Sequence, residues 1–404
     1  MGWPWLDALL AKPTKRIVGL ISGTSADGIA ASLADVTTGT DADHPKVALR
    51  GFRMSPFPDE VRARVLHAVI EPLTTQSLAS LSYVLGELFA EAARGVVETA
   101  GLRLDDVDLV ASHGQTVAHV GVPDPADPWA RAATMQIAEP AIIAARTGRP
   151  VIADFRSADI AAGGQAAPFV PYADLLLLGA SHGRIALNLG GIANFTVLPA
   201  NPRRDDVYAF DCGPSNMVID GLVRHFSGGA ERFDRDGRRA ARGTIRKDML
   251  AELMRDPFVL AAPPKTAGHE QYGRPFLRAL LERWSGVPED DLIATATALS
   301  ADAIAWNIAR YVAPAHSVDE LIASGGGTHN PVLMERLAEV VAPIRVRRID
   351  DVGIPSDAKE ALAFALLGHA SLLGRPGALP RVTGARYPAI LGTWTWPPLS
   401  RPRA

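Results

Sequence analysis

The chain has 404 residues, more than one ordinary hydrophobic core accommodates, so about two domains are expected. Hydrophobic residues make up 48% and charged ones 21%, and a net charge of -3 gives no electrostatic basis for binding nucleic acid or an anionic membrane, which leaves a small molecule as the expected partner. A single cysteine, Cys212, excludes an internal disulfide and a cysteine-rich metal site, and fits a reducing cytoplasm.

The N-terminal segment has no basic region ahead of its short apolar run, and Leu6 breaks the myristoylation pattern. No apolar run reaches the ~18 residues of a membrane span. Residues 1–15 therefore read as an amphipathic appendage that docks on the domain after it.

Ile17 to Ile21 is a β-rich run feeding a turn of small and hydroxyl residues, Ser22 to Gly28, after which apolar residues resume. This predicts a hairpin with a polar tip. Its glycines allow close approach of backbone N–H groups to an anion, Thr24 and Ser25 add hydroxyls, and Asp27 is placed to orient a metal or its waters. The bland alternative is a turn made of turn-forming residues. Lys46–Met54 reads as a third strand, and Pro58–Ile70 and Ser77–Ala100 carry helical spacing.

Val107–Ala111 is a short buried strand ending in Ser112-His113-Gly114-Gln115-Thr116, at the end of a strand where ligands bind in α/β sheets. His113 is either a hydrogen-bonded structural histidine or, beside Gln115 and Thr116, part of a site. Residues 119–133 read as an exposed loop, Thr134–Thr147 as a helix and Val151–Ala153 as a strand. The run that follows holds Asp154, Arg156 and Asp159 ahead of a Gly-Gly-Gln loop ending in Gln165. Donors and acceptors around a glycine loop suit a sugar, and the alternative is a capped loop with surface ion pairs.

A second unit begins near Arg184. The strands Arg184–Leu189 and Ile192–Leu198, joined at Gly190-Gly191, repeat the opening hairpin, and Val207–Phe210 is the third strand. Asp211 at its end is read as a base that takes a proton from an attacking oxygen, against the alternative of capping the helix near Asn216. Asp234 and Asp236 read as caps, residues 256–276 as an irregular lobe, and Lys265 as a solvated loop lysine. Asp291–Tyr311 is an amphipathic helix and Glu320–Ala323 a strand. Gly325-Gly326-Gly327 form a glycine loop that opens the Pro331–Val341 helix and suits a nucleotide. Arg345–Arg348 is a closing strand, Ala358–Leu373 a helix with Lys359 and Glu360 at its start, and the tail from Gly374 is draped on the surface.

Seven ordered motifs, SGTSADG, SHGQT, DFRSADIAAGGQ, LNLGGIAN, FDCGPSN, SGGGTHN and the Lys359-Glu360-Ala361 helix start, resemble those of the anhydro-N-acetylmuramic acid kinases over roughly residues 16–373. The resemblance implies an α/β fold of two ribonuclease-H-like (actin-like ATPase) domains with an interdomain cleft holding ATP and Mg²⁺. The domains would span 16–183 and 184–357, with 358–404 returning to the first. It also implies hydrolytic opening of a 1,6-anhydro ring coupled to phosphorylation of the freed O6. On that reading Gly23, Thr24, Ser25, Ala26, Asp27 and Gly28 form one phosphate cradle and Gly190, Gly191 and Asn194 the other. Gly325, Gly326, Gly327 and Asn330 border the nucleotide, Asp211 is the base, and Glu360 lies near the metal and substrate, with Asp27 as the second metal candidate. The sugar falls to His113, Gln115, Thr116, Asp154, Arg156, Asp159 and Gln165.

Ala30, Ala138, Glu139, Ala166, Ser215 and Ala267 depart from the family's usual residues, several of them on the sugar side. Other features, PPKTAG among them, look closer to the family's levoglucosan kinase branch, so 1,6-anhydroglucose stands as an alternative substrate. A sugar- and nucleotide-sensing actin-like protein without turnover is a third reading. The expected partners are an anhydro-sugar and ATP, with no nucleic acid and no membrane, and a homodimer is compatible with the sequence.

Overall fold

A computed structural model describes residues 4–23, 25–39, 44–71 and 73–397; Thr24 lies outside them. The chain divides into two compact units, one running to Leu177 and resuming at Asp357, the other spanning Leu178–Ser356. Its strands are β1 Thr14–Ser22, β2 Gly28–Thr37, β3 Lys46–Pro56, β4 Leu109–Val120, β5 Ala133–Ile137, β6 Val151–Ala153, β7 Arg184–Leu189, β8 Ile192–Leu198, β9 Tyr208–Pro214, β10 Glu320–Ser324, β11 Arg345–Arg348 and β12 Thr393–Thr395.

In the first unit the strand order is β12-β6-β4-β1-β2-β3, with β5 added to β4. β1, β2 and β3 are antiparallel neighbours, and β4 and β6 run parallel to β1. The second unit has the order β11-β10-β7-β8-β9, again three antiparallel strands followed by two parallel ones on the far side of the first. With β5 and the edge strand β12 set aside, each sheet reads third, second, first, fourth, fifth, which is the ribonuclease-H-like arrangement. The fold is α/β with two such domains.

Alternation along β1 decides how the first unit packs. Val18 and Leu20 are buried in a core that includes Phe89 and Val96 of the Thr75–Thr99 helix. That helix starts where Thr74 accepts a hydrogen bond from the Ser77 backbone N–H at 3.2 Å. Gly19 points the other way, against the Lys359–Leu372 helix; a side chain there would collide with the Ala361 carbonyl and reach Ala365 N at 2.7 Å. Gly368 of the same helix lies 2.6 Å, measured from where its Cβ would be, from Ala111 Cβ. These two glycines let helix and sheet approach closely, which fixes where Glu360 is carried.

Several elements differ from the sequence expectation. Residues 134–147 are not one helix: β5 occupies 133–137 with alternating exposure, and the helix begins at Pro140, where Glu139 caps Ala141 N at 3.1 Å. The strand expected at 107–111 runs on as β4 to Val120 because β5 pairs with its second half. The helix Glu289–Asn307 is buried almost all round rather than amphipathic, and its extension to Val312 is the one described segment long and apolar enough to cross a bilayer, 78% buried inside the protein. The lobe at 256–276 contains the short helices Pro257–Leu260 and His269–Tyr272. The tail is not merely draped: β12 pairs antiparallel with β6, and Trp396 meets Trp5 of the Pro4–Ala11 helix edge-on at 5.4 Å.

Candidate active site

The candidate residues fall into two groups, one in each unit. In the first unit, β1 and β4 end side by side, and Ser22 pairs in register with Gln115. Gln115 is fully buried; its Oε1 accepts from the Ser22 hydroxyl at 2.6 Å and its Nε2 donates to the Gly23 carbonyl at 3.3 Å. It braces the hairpin tip from below and does not face solvent. At that tip Gly23 is open, with nothing within 4 Å of where a Cβ would stand. Ser25 and Asp27 are exposed, Ala26 is buried in a left-handed conformation (φ 50°), and Asp27 pairs with Arg62 at 2.9 Å. The open backbone at Gly23 fits a phosphate.

His113 is buried, and Arg156 Nε donates to its Nε2 at 2.9 Å. A guanidinium has no acceptor, so His113 Nε2 is unprotonated and the proton sits on Nδ1, which donates to the Gly114 carbonyl at 3.0 Å. Burial, reinforced by the Arg156 charge, pushes the His113 pKa down to about 3, which keeps the ring neutral. Arg156 also donates through Nη1 to the Ala166 carbonyl at 2.5 Å, and burial lowers its own pKa to about 10. His113 therefore holds Arg156 rather than presenting itself. Asp159 is equally committed: fully buried, it accepts from Ala166 N at 2.8 Å and from the Thr383 hydroxyl at 2.7 Å, pinning the Gly-Gly-Gln loop to the tail. Asp154, exposed at φ 54°, caps the next short helix through Ser157 N and Oγ at 3.3 and 2.6 Å. Thr116 accepts from Gln136 at 3.2 Å, and Gln165 is exposed.

Glu360 stands exposed in the first turn of its helix, and the surrounding protein raises its carboxyl pKa against the pull of Lys359 and Arg156. Lys359 is buried in an ion pair with Asp174 at 2.8 Å, which anchors that first turn. Among the described residues no cluster of three or more His, Cys, Asp or Glu side chains is arranged to hold a metal. Two separate carboxylates, Asp27 and Glu360, suit Mg²⁺, a cation that keeps waters and takes its remaining oxygens from phosphates.

In the second unit the Gly190-Gly191 turn is fastened by backbone to the start of the Asn216–Phe226 helix: the Gly191 carbonyl accepts from Ser215 N and Met217 N, both at 3.0 Å, and the Gly190 carbonyl from Asn216 N at 3.1 Å. Asn194, on β8, faces Asp211 of β9 across a bulge. Asp211 Oδ2 accepts from the Ala267 backbone N–H at 2.8 Å. Burial raises its pKa to about 6, with the Ala267 hydrogen bond and Lys265 opposing. A carboxylate tuned to that range accepts a proton near neutral pH and is still mostly ionised there. Lys265 is not a solvated loop residue: its Nζ donates to the Phe258 and Val259 carbonyls at 3.0 and 2.8 Å and lies 5.2 Å from the Phe258 ring centre.

The three glycines after β10 divide by role. Gly325 (φ 89°) packs where a Cβ would lie 2.7 Å from Asn188 Oδ1, and its N–H donates to the Ser356 hydroxyl at 2.7 Å. Gly327 would place a Cβ 2.6 Å from Leu189 Cβ. Both serve packing, while Gly326 is exposed with only Asn216 Nδ2 near, at 3.8 Å. Asn330 caps the Pro331–Val340 helix through Leu333 N at 3.2 Å. The residues singled out from the sequence do not include Gln136, which donates to Thr116, or Asp220, which follows Asn216 by one helical turn.

Two departures sit in glycine conformations. Ala138 has φ 147° and Ala166 has φ 55°, at positions where the related motifs carry glycine. The backbone of both loops is kept despite the added methyl. Ser215, also at a glycine position of the motif, has no hydrogen-bond partner for its buried hydroxyl among the described residues.

A family model described as "Anhydro-N-acetylmuramic acid kinase" matches residues 15–397. The chain is 41% identical to the anhydro-N-acetylmuramic acid kinase of Caldanaerobacter subterraneus subsp. tengcongensis, over 96% of this chain and 99% of that relative. It is also 41% identical to the protein of that name from Salinibacter ruber, over 97% of this chain and 100% of the relative. Among solved structures, a ROK family glucokinase from Streptomyces griseus in complex with glucose and AMPPNP aligns with a TM-score of 0.39 at 13% identity, covering 88% of this chain and 99% of that one. So distant a likeness carries no argument.

Proposed function

The chain belongs to the anhydro-N-acetylmuramic acid kinase family, and on that premise we propose that it uses ATP and water to convert 1,6-anhydro-N-acetylmuramic acid to N-acetylmuramic acid 6-phosphate and ADP. It is a phosphotransferase acting on a sugar hydroxyl. The observation that carries the catalytic reading is Asp211, held by Ala267 N and poised at about pH 6.

In this reading Asp211 takes a proton from water as the water oxygen bonds to the anomeric carbon. The C1–O6 bond of the anhydro bridge breaks, O6 bonds to the γ-phosphorus, and the bond to the β-phosphate oxygen breaks to release ADP. One bound arrangement serves both bond changes because the leaving oxygen of the first is the nucleophile of the second. Gly23 and the Gly190-Gly191 turn offer backbone N–H groups to the phosphates, and Arg156, oriented by His113, binds the sugar. Asp27 and Glu360 would hold Mg²⁺, which supplies charge neutralisation on the phosphates. We place the reaction in the cytoplasm, as part of cell-wall sugar recycling.

The test is ADP release by the purified protein with Mg-ATP and a concentration series of 1,6-anhydro-N-acetylmuramic acid or levoglucosan. A higher kcat/KM for the muramic sugar is expected. Preference for levoglucosan would move the substrate to 1,6-anhydroglucose, and ADP release independent of either sugar would remove the kinase reading.

A further inference from the structure

The Asn216–Phe226 helix presents one face to the glycine loop after β10. Asn216 lies on that face: its side chain flanks Gly326 at 3.8 Å and Gly327 at 3.3 Å, each measured from where a Cβ would stand. Residues four apart share a helix face, so Asp220 continues it one turn on. Its partly buried carboxylate makes no hydrogen bond among the described residues. The charged groups around it are Arg224, one further turn along, and Asp234. Arg224 directs its Nη1 to the Arg232 carbonyl at 3.5 Å, and Asp234 spends both oxygens on Arg239 N and Ala240 N at 2.9 and 3.0 Å. Between Asp234 and the Arg238–Arg242 helix whose first turn it caps comes Gly237, which abuts Asn330 at the other end of the glycine loop. Asp220 is thus carried by one segment that touches the loop and lies near Asp234 of another, with no hydrogen-bond donor to it among the described residues.

We propose that Asp220 accepts hydrogen bonds from the ribose hydroxyls of the nucleotide, and so selects ribonucleotides over their deoxy analogues. The inference rests on the kinase reading above. A partly desolvated carboxylate lacking a donor is costly to keep, and burial with the Asp234 charge nearby raises its pKa to about 6. Two vicinal hydroxyls supply the donors it lacks. A site built on such a bond rejects ligands that lack the hydroxyl, because the protein's acceptor is then left unpaired.

The experiment is calorimetric titration of the full-length wild type, Asp220→Ala and Asp220→Asn with ADP, 2′-deoxy-ADP and 3′-deoxy-ADP in Mg²⁺, a readout that needs no turnover. Wild type is expected to bind at least one deoxy analogue about tenfold more weakly than ADP or worse. In Asp220→Ala the three ligands should fall within about twofold of one another, with Asp220→Asn intermediate since its amide keeps one acceptor oxygen. If Asp220→Ala does not fold, the Asp220→Asn comparison decides. Unchanged discrimination in the folded variants, or none in wild type, overturns the assignment of Asp220 and leaves the kinase reading standing. No binding of ADP by wild type overturns both.

Discussion

The two units repeat one sheet topology, yet each builds its part of the chemistry differently. In the second, backbone does the positioning: the Gly190 and Gly191 carbonyls anchor residues 215–217, and the Ala267 N–H holds Asp211. In the first, buried side chains do it: Gln115 under Gly23, His113 behind Arg156, Asp159 behind Ala166, and Lys359 beneath Glu360. Backbone anchors tolerate side-chain change, whereas side-chain braces do not. Point substitutions in the second unit's set should therefore be mild except at Asp211 and at the close-packed Gly325 and Gly327, and those in the first should act at a distance through a neighbour.

The largest expected effect breaks the chemistry and spares the fold. Asp211→Asn should lower kcat about a hundred- to ten-thousand-fold while ADP affinity stays within about twofold, measured by coupled assay and calorimetry. The same variant carries a stability signature. Because the folded-state pKa of Asp211 is raised to about 6, its stabilising contribution is present below the ordinary carboxylate pKa and lost as pH rises through 6. Asp211→Asn should thus gain melting temperature relative to wild type at pH 8 and gain little at pH 4, and equal shifts at both would contradict the assignment.

In the first unit, Lys359→Met removes the cation paired with the buried Asp174 carboxylate. A loss of about 3–5 kcal/mol in urea unfolding is expected, and a loss below about 1 kcal/mol would show that the pair is not a brace. His113→Phe keeps a ring of similar size against Phe364 but removes the acceptor for Arg156. The KM for the sugar should rise about tenfold with the KM for ATP unchanged, and His113→Gln, which restores an acceptor oxygen, should recover part of it. Equal changes in both KM values would mean a general loss of structure. The smallest effect is a gain: Ala166→Gly should stabilise by about 0.5–1 kcal/mol, because φ 55° strains any Cβ, with kinetics near wild type.

The sequence made the repeated hairpins and the glycine loop at 325–327 legible, because period-two runs interrupted by glycine are local signals; His113 and Asp211, expected at strand ends, lie inside β4 and β9, which run on to Val120 and Pro214. What it hid depends on contacts made far along the chain. Gln115 and Asp159 carry residue types that suit a sugar, and only their burial shows them turned inward. Lys265 looked solvated beside prolines and proved to be seated on two carbonyls and an aromatic ring. The strand at 133–137 was masked by the helical signal of the residues after Pro140.

The most direct test of the account is the pH dependence of kcat for wild type with Mg-ATP and 1,6-anhydro-N-acetylmuramic acid, followed by product analysis. N-acetylmuramic acid 6-phosphate and ADP are expected in equal amounts, with kcat falling as pH drops through about 6 as Asp211 takes up its proton. A kcat that stays flat from pH 8 to pH 4 would contradict Asp211 as the base.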